Sequence, residues 1–503
     1  MLRYGFEGNR SVWEVFNQMK YYSTRDKSFT ATASQAILKG IAPDGGLYVP
    51  ESIPKLGKSF TQLSKMDYPQ LAYEVMRLFI DDFTEEELKS AINSAYNTDN
   101  FDHEDITCLV QADDAYYLEL FHGRTIAFKD MALSILPYLM LTSARKNEVK
   151  EDIIILTATS GDTGKAALAG FDSVPGTGIV VFYPKDGVSK VQERQMVTQA
   201  GENTHVIGIR GNFDDAQREV KKAFTDETLA AKMLEKGYRF SSANSINIGR
   251  LVPQIVYYVY AYTRLLPKEI NFVVPTGNFG NILAAYYAYR MGVPIHKLIC
   301  ASNENKVLYD FFKTGVYDRN RDFVLTSSPS MDILISSNLE RLVAELAGDK
   351  TASLMEDLKV TGRYELPENA RKAEAIELFE GEFATEEEMS ARIKELYEKE
   401  GYILDPHTAV ASAAYEKYRK ETGDETCTVI ASTASPYKFT RAVLTSIDKK
   451  YASMDDFDLF TELEKLSGTP VPKAIKDILS APVKHDTVCD KDKLIEEIEK
   501  IYL

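Results

Sequence analysis

Short apolar runs, separated by glycine-bearing turns and helix-period stretches, set the rhythm of the chain. Asp152–Leu156 (DIIIL), Gly178–Tyr183 (GIVVFY), Thr204–Ile209 (THVIGI), Ile270–Val274 (INFVV) and Thr426–Ala431 (TCTVIA) read as buried strands, since a short continuous apolar run suits a strand covered on both faces. The first leads into the turn TATSGDTG and a helix starting near Lys165–Phe171. The fourth leads into PTGNFGN and the helix-like ILAAYYAYRMG, and the fifth into STASPYKF and another helix. Strands alternating with helices imply parallel βαβ units and an α/β fold. Ligands of such sheets sit in loops at the carboxyl ends of the strands. From Leu366 to Gly401 the text is rich in Glu, Ala and Lys, which predicts surface helices packed on the core. From Lys449 onward it is charged and helical, which predicts a terminal subdomain. Met131–Leu141 is the most apolar helix-like run, but it carries a Ser and a Pro and is too short to span a bilayer.

Composition narrows the class. The 503 residues are 44% hydrophobic and 27% charged, an ordinary globular mix that excludes disordered and fibrous chains. Against 59 Lys and Arg stand 75 Asp and Glu, a net charge of −16, and a surface so acidic offers no footprint for nucleic acid or an anionic membrane. The opening MLRYGFEGNRSVWEVFNQ has no apolar core of a signal peptide. Cys108, Cys300, Cys427 and Cys489 lie far apart with no CxxC, and the six histidines form no HxxxH pattern. The expectation is a cytoplasmic protein with neither disulfide framework nor metal centre.

Three loops can carry chemistry. In TGNFGN (Thr276–Asn281) a strand ends and a helix begins, so free N–H groups and the helix dipole favour an anion there. Gly277 and Gly280 allow close approach, and Asn278 and Asn281 add side-chain donors. The loop has no Lys, which suits the phosphate of an organic cofactor; the bland alternative is a plain βα turn. TATSGDTGK fails as a nucleotide P-loop, because Thr159 stands where the first Gly is required and Ala166 follows Lys165. It remains a turn dense in hydroxyls and N–H groups, suited to a carboxylate or phosphate, or to ordinary helix capping. In HGRTIAFKDMAL, Lys129 lies among Phe128, Ile126, Ala127, Met131 and Ala132. Burial there would lower its pKa and expose a nucleophilic, imine-forming amine, whereas a snorkelling helix lysine is the ordinary alternative.

Taken together, these segments resemble the threonine synthase family of pyridoxal-phosphate enzymes, within the tryptophan-synthase-β-like (fold type II) group. The matching text is KYYSTRDKS (Lys20–Ser28), APDGGLYVPE (Ala42–Glu51), HGRTIAFKD, TATSGDTGKAA, VQERQM (Val191–Met196), NSINIGR (Asn244–Arg250), PTGNFGN, SPSMDILISSNLERL (Ser328–Leu342) and TASPYKF (Thr433–Phe439), all in the family's order. The resemblance implies two parallel-sheet α/β lobes plus an N-terminal domain. Its expected divisions are 1–105, with 1–18 outside the family text, then a catalytic core at 106–447 with a helical insertion near 340–400, and a helical tail at 448–503.

It also assigns roles. Lys129 matches the lysine that binds the cofactor aldehyde covalently. Gly277, Asn278, Phe279, Gly280 and Asn281 match the loop holding the phosphate of pyridoxal 5'-phosphate, and Thr433 matches the hydroxyl residue facing the ring nitrogen. Ser160, Gly161, Thr163 and Gly164 match the loop receiving the substrate carboxylate, with Asp162 near the ring oxygen. The implied reaction is that of a carbon–oxygen lyase: O-phospho-L-homoserine and water give L-threonine and phosphate, in amino-acid biosynthesis. Arg250, Arg194 and Lys165 are the expected cationic hosts of the substrate phosphate. The family often has Pro where this chain has Arg124, which marks a different turn or an added phosphate contact. The expected assembly is a monomer or homodimer. Rivals are another fold-type-II lyase and a non-catalytic binding homologue; VQERQM with NSINIGR argues against the first, and the presence of Lys129 against the second.

Overall fold

In a computed structural model of the chain, residues 18–159, 161–188 and 190–503 are described. Expectations about residues 1–17 and Ser160 therefore lie outside the described residues. Two sheets organise the rest. One runs in the order Val488–Asp490, Thr204–Arg210, Thr177–Pro184, Asp152–Ala158, Tyr238–Ser241, all parallel. The other runs Phe379–Phe383, Ile295–Ser302, Ile270–Pro275, Thr428–Ser432, Ala115–Glu119, Cys108–Ala112, parallel except for the last, antiparallel pair. The predicted apolar runs are the central strands, buried throughout Thr177–Pro184, Ile270–Pro275 and Thr428–Ser432.

The helix Ile248–Leu265 is buried from Ile248 through Thr263, as a helix apolar all round must be. It packs against Gly280–Met291, the short helix Asp130–Leu133 and the N-terminal helix Tyr68–Met76. N-terminal family text reaches the same region: Arg25 Nη2 pairs with Glu340 Oε2 at 2.8 Å, and Thr24 Oγ1 donates to Glu340 Oε1 at 2.6 Å.

Two expectations need correction. The stretch near 340–400 is not wholly helical: Phe379–Phe383 (FEGEF) is the edge strand beside Ile295–Ser302. An edge strand needs no continuous apolar run, and buried Glu382 is compensated by Lys313 at 3.6 Å. The tail beyond 448 is not a separate helical subdomain either. Leu459, Phe460, Leu463, Ile475 and Ile478 join the core of the second sheet. Val488–Asp490 then completes the first sheet, and Leu494 and Ile498 pack on Ile154, Phe182 and Ile209.

Candidate active site

The carboxyl ends of the strands converge on Lys129. It sits at the N-terminal end of the helix Asp130–Leu133, held by the preceding loop. Phe128 N–H donates to Thr433 O at 2.8 Å, and Ala127 bridges Ala434, so the strand Thr428–Ser432 lays its continuation against Lys129. Asp130 is buried and accepts from Thr125 N–H (2.8 Å) and Thr125 Oγ1 (2.6 Å). Gly123 follows from that bond, because a Cβ there would lie 2.4 Å from Asp130 Cβ.

Lys129 Nζ donates to Ser330 Oγ at 3.1 Å, and Ser330 Oγ donates to Asp162 Oδ2 at 3.1 Å. Asp162 Oδ2 also lies 3.8 Å from Lys129 Nζ, and Asp162 Oδ1 lies 3.3 Å from Lys438 Nζ. Burial pushes Lys129 down; Asp162 opposes that shift, and Lys438 and Arg250 add to it. Burial would raise Asp162, but Lys438 and Lys129 hold it well below the usual carboxylate range. Ser330 N–H donates to His407 Nε2 at 3.2 Å, and His407 Nδ1 donates to Asp405 Oδ1 at 2.9 Å. With Nε2 accepting from Ser330, Nδ1 is the ring atom that faces Asp405 as donor.

The glycine loop closes on the same serine. A Cβ at Gly277 would lie 2.4 Å from Ser330 O, and Phe279 takes the left-handed φ of 64° to begin the helix Gly280–Met291. Among the described residues no side chain caps that helix, so its first N–H groups are open to an anion. Asn338 holds the loop from behind, its N–H and Nδ2 both donating to Asn278 O at 3.0 Å. The Asn281 side chain is anchored by its oxygen: Oδ1 accepts from the Tyr257 and Tyr258 hydroxyls at 2.5 and 2.6 Å, while Nδ2 is buried without a hydrogen-bond partner among the described residues and stays available as a donor. Asn278 is exposed, its Oδ1 accepting from Ser337 Oγ at 3.4 Å.

The loop before Lys165 is helical from Asp162 onward, earlier than expected. Thr159 Oγ1 accepts from Gly161 N–H (3.0 Å) and Gly164 N–H (2.9 Å), so capping takes two of its donors. Gly161 has φ 142°, a glycine conformation, and Thr163 is half-buried.

The expected phosphate cations separate. Arg250, at the start of its helix, is buried; its Nη1 donates to Ala243 O at 2.9 Å, while Nε is buried without a hydrogen-bond partner and no ion pair involves it among the described residues. Burial pushes it down to about 10, with Tyr257 opposing. A buried cation without a carboxylate is costly unless an anion arrives. Arg194 is engaged elsewhere, donating to Ile478 O (3.0 Å) and Ala481 O (2.7 Å) in the tail. Lys165 Nζ donates to Gln199 Oε1 at 2.6 Å, and burial pushes it down to about 8. Arg124 donates to Ala169 O at 3.4 Å. Ser330, His407 and Lys438 carry no local signal of this role, although Ser330 and Lys438 stand inside two of the quoted family segments.

Three comparisons extend this geometry. The family model described as pyridoxal-phosphate dependent enzyme matches residues 110–433; those described as threonine synthase N terminus and threonine synthase, C-terminal match 20–96 and 408–498. The threonine synthase of Saccharomyces cerevisiae is 37% identical, covering 96% of this chain and 99% of its own. That of Pseudomonas aeruginosa is 39% identical over 84% and 90%. The crystal structure of threonine synthase from yeast superposes with a TM-score of 0.86 at 34% identity, covering 96% of this chain and 98% of that one. The structure of PLP-bound threonine synthase from Brucella melitensis gives 0.83 at 35%, covering 96% and 99%. Fold and site are those of a pyridoxal-phosphate-dependent enzyme. A buried lysine, an uncapped helix with a glycine cradle, and a neutral threonine at a strand end fit that cofactor. Within that class, the chain belongs to the threonine synthase family.

Proposed function

We propose that the protein converts O-phospho-L-homoserine and water to L-threonine and phosphate, by γ-elimination followed by addition of water at Cβ. The observation that carries this reading is Arg250, a buried guanidinium beside the Lys129 site with no carboxylate partner among the described residues. It offers a second anion host, distinct from the cradle at 277–281. Pyridoxal phosphate, when bound, supplies an electron sink for charge developing on the substrate carbons. Gly277, Asn278, Phe279, Gly280 and Asn281 would hold its phosphate, Lys129 its aldehyde carbon, and Thr433 would face its ring nitrogen. Asp162 would stand toward the ring oxygen.

The protein's own groups carry the protons. Burial favours the neutral amine of Lys129, which takes a proton from substrate Cα and moves protons at Cβ. Ser330 Oγ, between Lys129 and Asp162, keeps that amine aimed, accepting from the ammonium and able to donate to the neutral amine. Ser160 through Gly164 receive the substrate carboxylate, with Gly161 giving it backbone room. Arg250 grips the γ-phosphate and stabilises it as it leaves. Arg194 and Lys165 act behind this shell, the first on the tail and the second through Gln199.

We also infer a cytoplasmic monomer or homodimer, with an N-terminal unit up to about residue 105 and a core at 106–447. Incubation with O-phospho-L-homoserine should release threonine and phosphate in equal amounts. Borohydride reduction should fix the cofactor on the peptide containing Phe128-Lys129-Asp130. Phosphate release without threonine, or labelling of another lysine, would overturn the assignment.

A further inference from the structure

The antiparallel hairpin at the edge of the larger sheet carries chemistry that the reaction does not use. Its register sets Cys108 opposite Glu119, and side chains directly opposed across strands lie within reach of each other. His122 follows three residues after Glu119 and folds back over the pair. Cys108 Sγ lies 3.5 Å from Glu119 Oε2 and 3.6 Å from His122 Nε2, and His122 Nε2 lies 3.0 Å from Glu119 Oε2.

The two separations from sulfur match the edges of a coordination tetrahedron, and the His122–Glu119 edge, at 3.0 Å, has only to open slightly to admit an ion. A zinc ion about 2.3 Å from sulfur and about 2.0–2.1 Å from nitrogen or oxygen requires edges of roughly 3.3–3.6 Å between its ligand atoms. Outer partners already orient two of the three groups. His122 Nδ1 is bound to Asp102 Oδ1 at 2.8 Å, the carboxylate–histidine arrangement that aims Nε2 at a metal. The Tyr402 hydroxyl donates to Glu119 Oε1 at 2.8 Å, leaving Oε2 to face the cluster. Glu119 and His122 side chains are 13% and 16% exposed, enough for an ion to enter and for water to complete its shell.

We propose that Cys108, Glu119 and His122 form a binding site for a divalent, borderline-soft cation, zinc above all, with water in the fourth position. The thiolate argues against magnesium and calcium, and the mixed sulfur, nitrogen and oxygen set suits zinc. The site lies at the root of the loop that leads to Lys129. Asp102 N–H donates to His122 O at 2.9 Å, and Gly123 bridges Phe101. An ion here ties hairpin and loop together without touching the reacting groups. The expectation of no metal centre counted spacing along the chain, whereas these ligands meet across two strands.

Chelator-stripped holoenzyme titrated with Co2+ tests this. One equivalent per chain should bind with the intense visible bands of a four-coordinate site, and Zn2+ should erase them. Cys108→Ser and Glu119→Gln should each abolish the bands, while Cys427→Ser keeps them. Asp102→Asn should weaken Zn2+ binding about 10–100-fold. Cofactor content, measured on every variant, reports folding; should Cys108→Ser fail to fold, Glu119→Gln decides alone. Weak six-coordinate bands in the wild type, or strong bands surviving loss of Cys108 or Glu119, would overturn the proposal.

Discussion

Asp162 lies beside the side-chain nitrogens of Lys438 and Lys129 in a buried setting. Its folded-state pKa is depressed, so its stabilisation is present at neutral pH and is lost as the pH falls below the usual carboxylate range. Replacing it with Asn leaves the buried Lys438 ammonium without that partner, which typically costs about 3–5 kcal/mol. Thermal melts of Asp162→Asn should fall well below wild type at pH 7, with the gap closing as the pH drops below about 4; a gap independent of pH would deny the ion pairs this role. Arg250 gives a second prediction. Loss of a charge-assisted contact costs about 1.5–3 kcal/mol, or roughly ten- to hundred-fold in affinity. Arg250→Ala should raise KM for O-phospho-L-homoserine by that factor and weaken inhibition by free phosphate, with the cofactor spectrum unchanged. At this scale the sequence was half legible. Lys129 announces itself as a lysine among apolar neighbours, but Ser330 and His407 are polar residues of remote segments. Their meeting depends on three-dimensional closure, and no local pattern encodes it.

The glycine cradle works as an element, a strand end joined to an uncapped helix. Gly280→Asp would set a carboxylate among N–H groups meant for a phosphate, with its Cβ already 3.3 Å from Asn338 Nδ2. Cofactor occupancy should drop sharply while far-ultraviolet circular dichroism stays native; occupancy at the wild-type level would show that the phosphate lies elsewhere. The helix of this element was readable from PTGNFGN because glycines and a following apolar helix mark the junction. Central strands were equally readable, since burial on both faces demands unbroken apolar text. FEGEF was not, because an edge strand with a compensated glutamate has no such demand to meet. Asn281 was half readable: its residue type suggested a donor, which Nδ2 remains, while the anchoring of its Oδ1 by Tyr257 and Tyr258 is set by packing.

Across the whole molecule, the tail is what composition concealed, because amphipathic helices read alike whether they form their own unit or clasp an existing one. It packs first on the larger sheet and then on the smaller, with Arg194 gripping its carbonyls at the crossing. Removing residues 486–503 would uncover Ile154, Phe182 and Ile209. Leu494 and Ile498 alone account for about 1.5–3 kcal/mol each on burial, so the truncated chain should melt markedly earlier; an unchanged melting temperature would mean the tail is mere covering. The pairing of Arg210 with Asp490 spans 280 positions. On a ribosome adding about 5–20 residues per second, the strand Thr204–Arg210 therefore emerges roughly 15–60 s before the partner that closes its open edge. For that interval the nascent chain presents an unpaired strand to its neighbours, so the pace of translation, as much as the finished fold, governs how much of this enzyme escapes aggregation at birth.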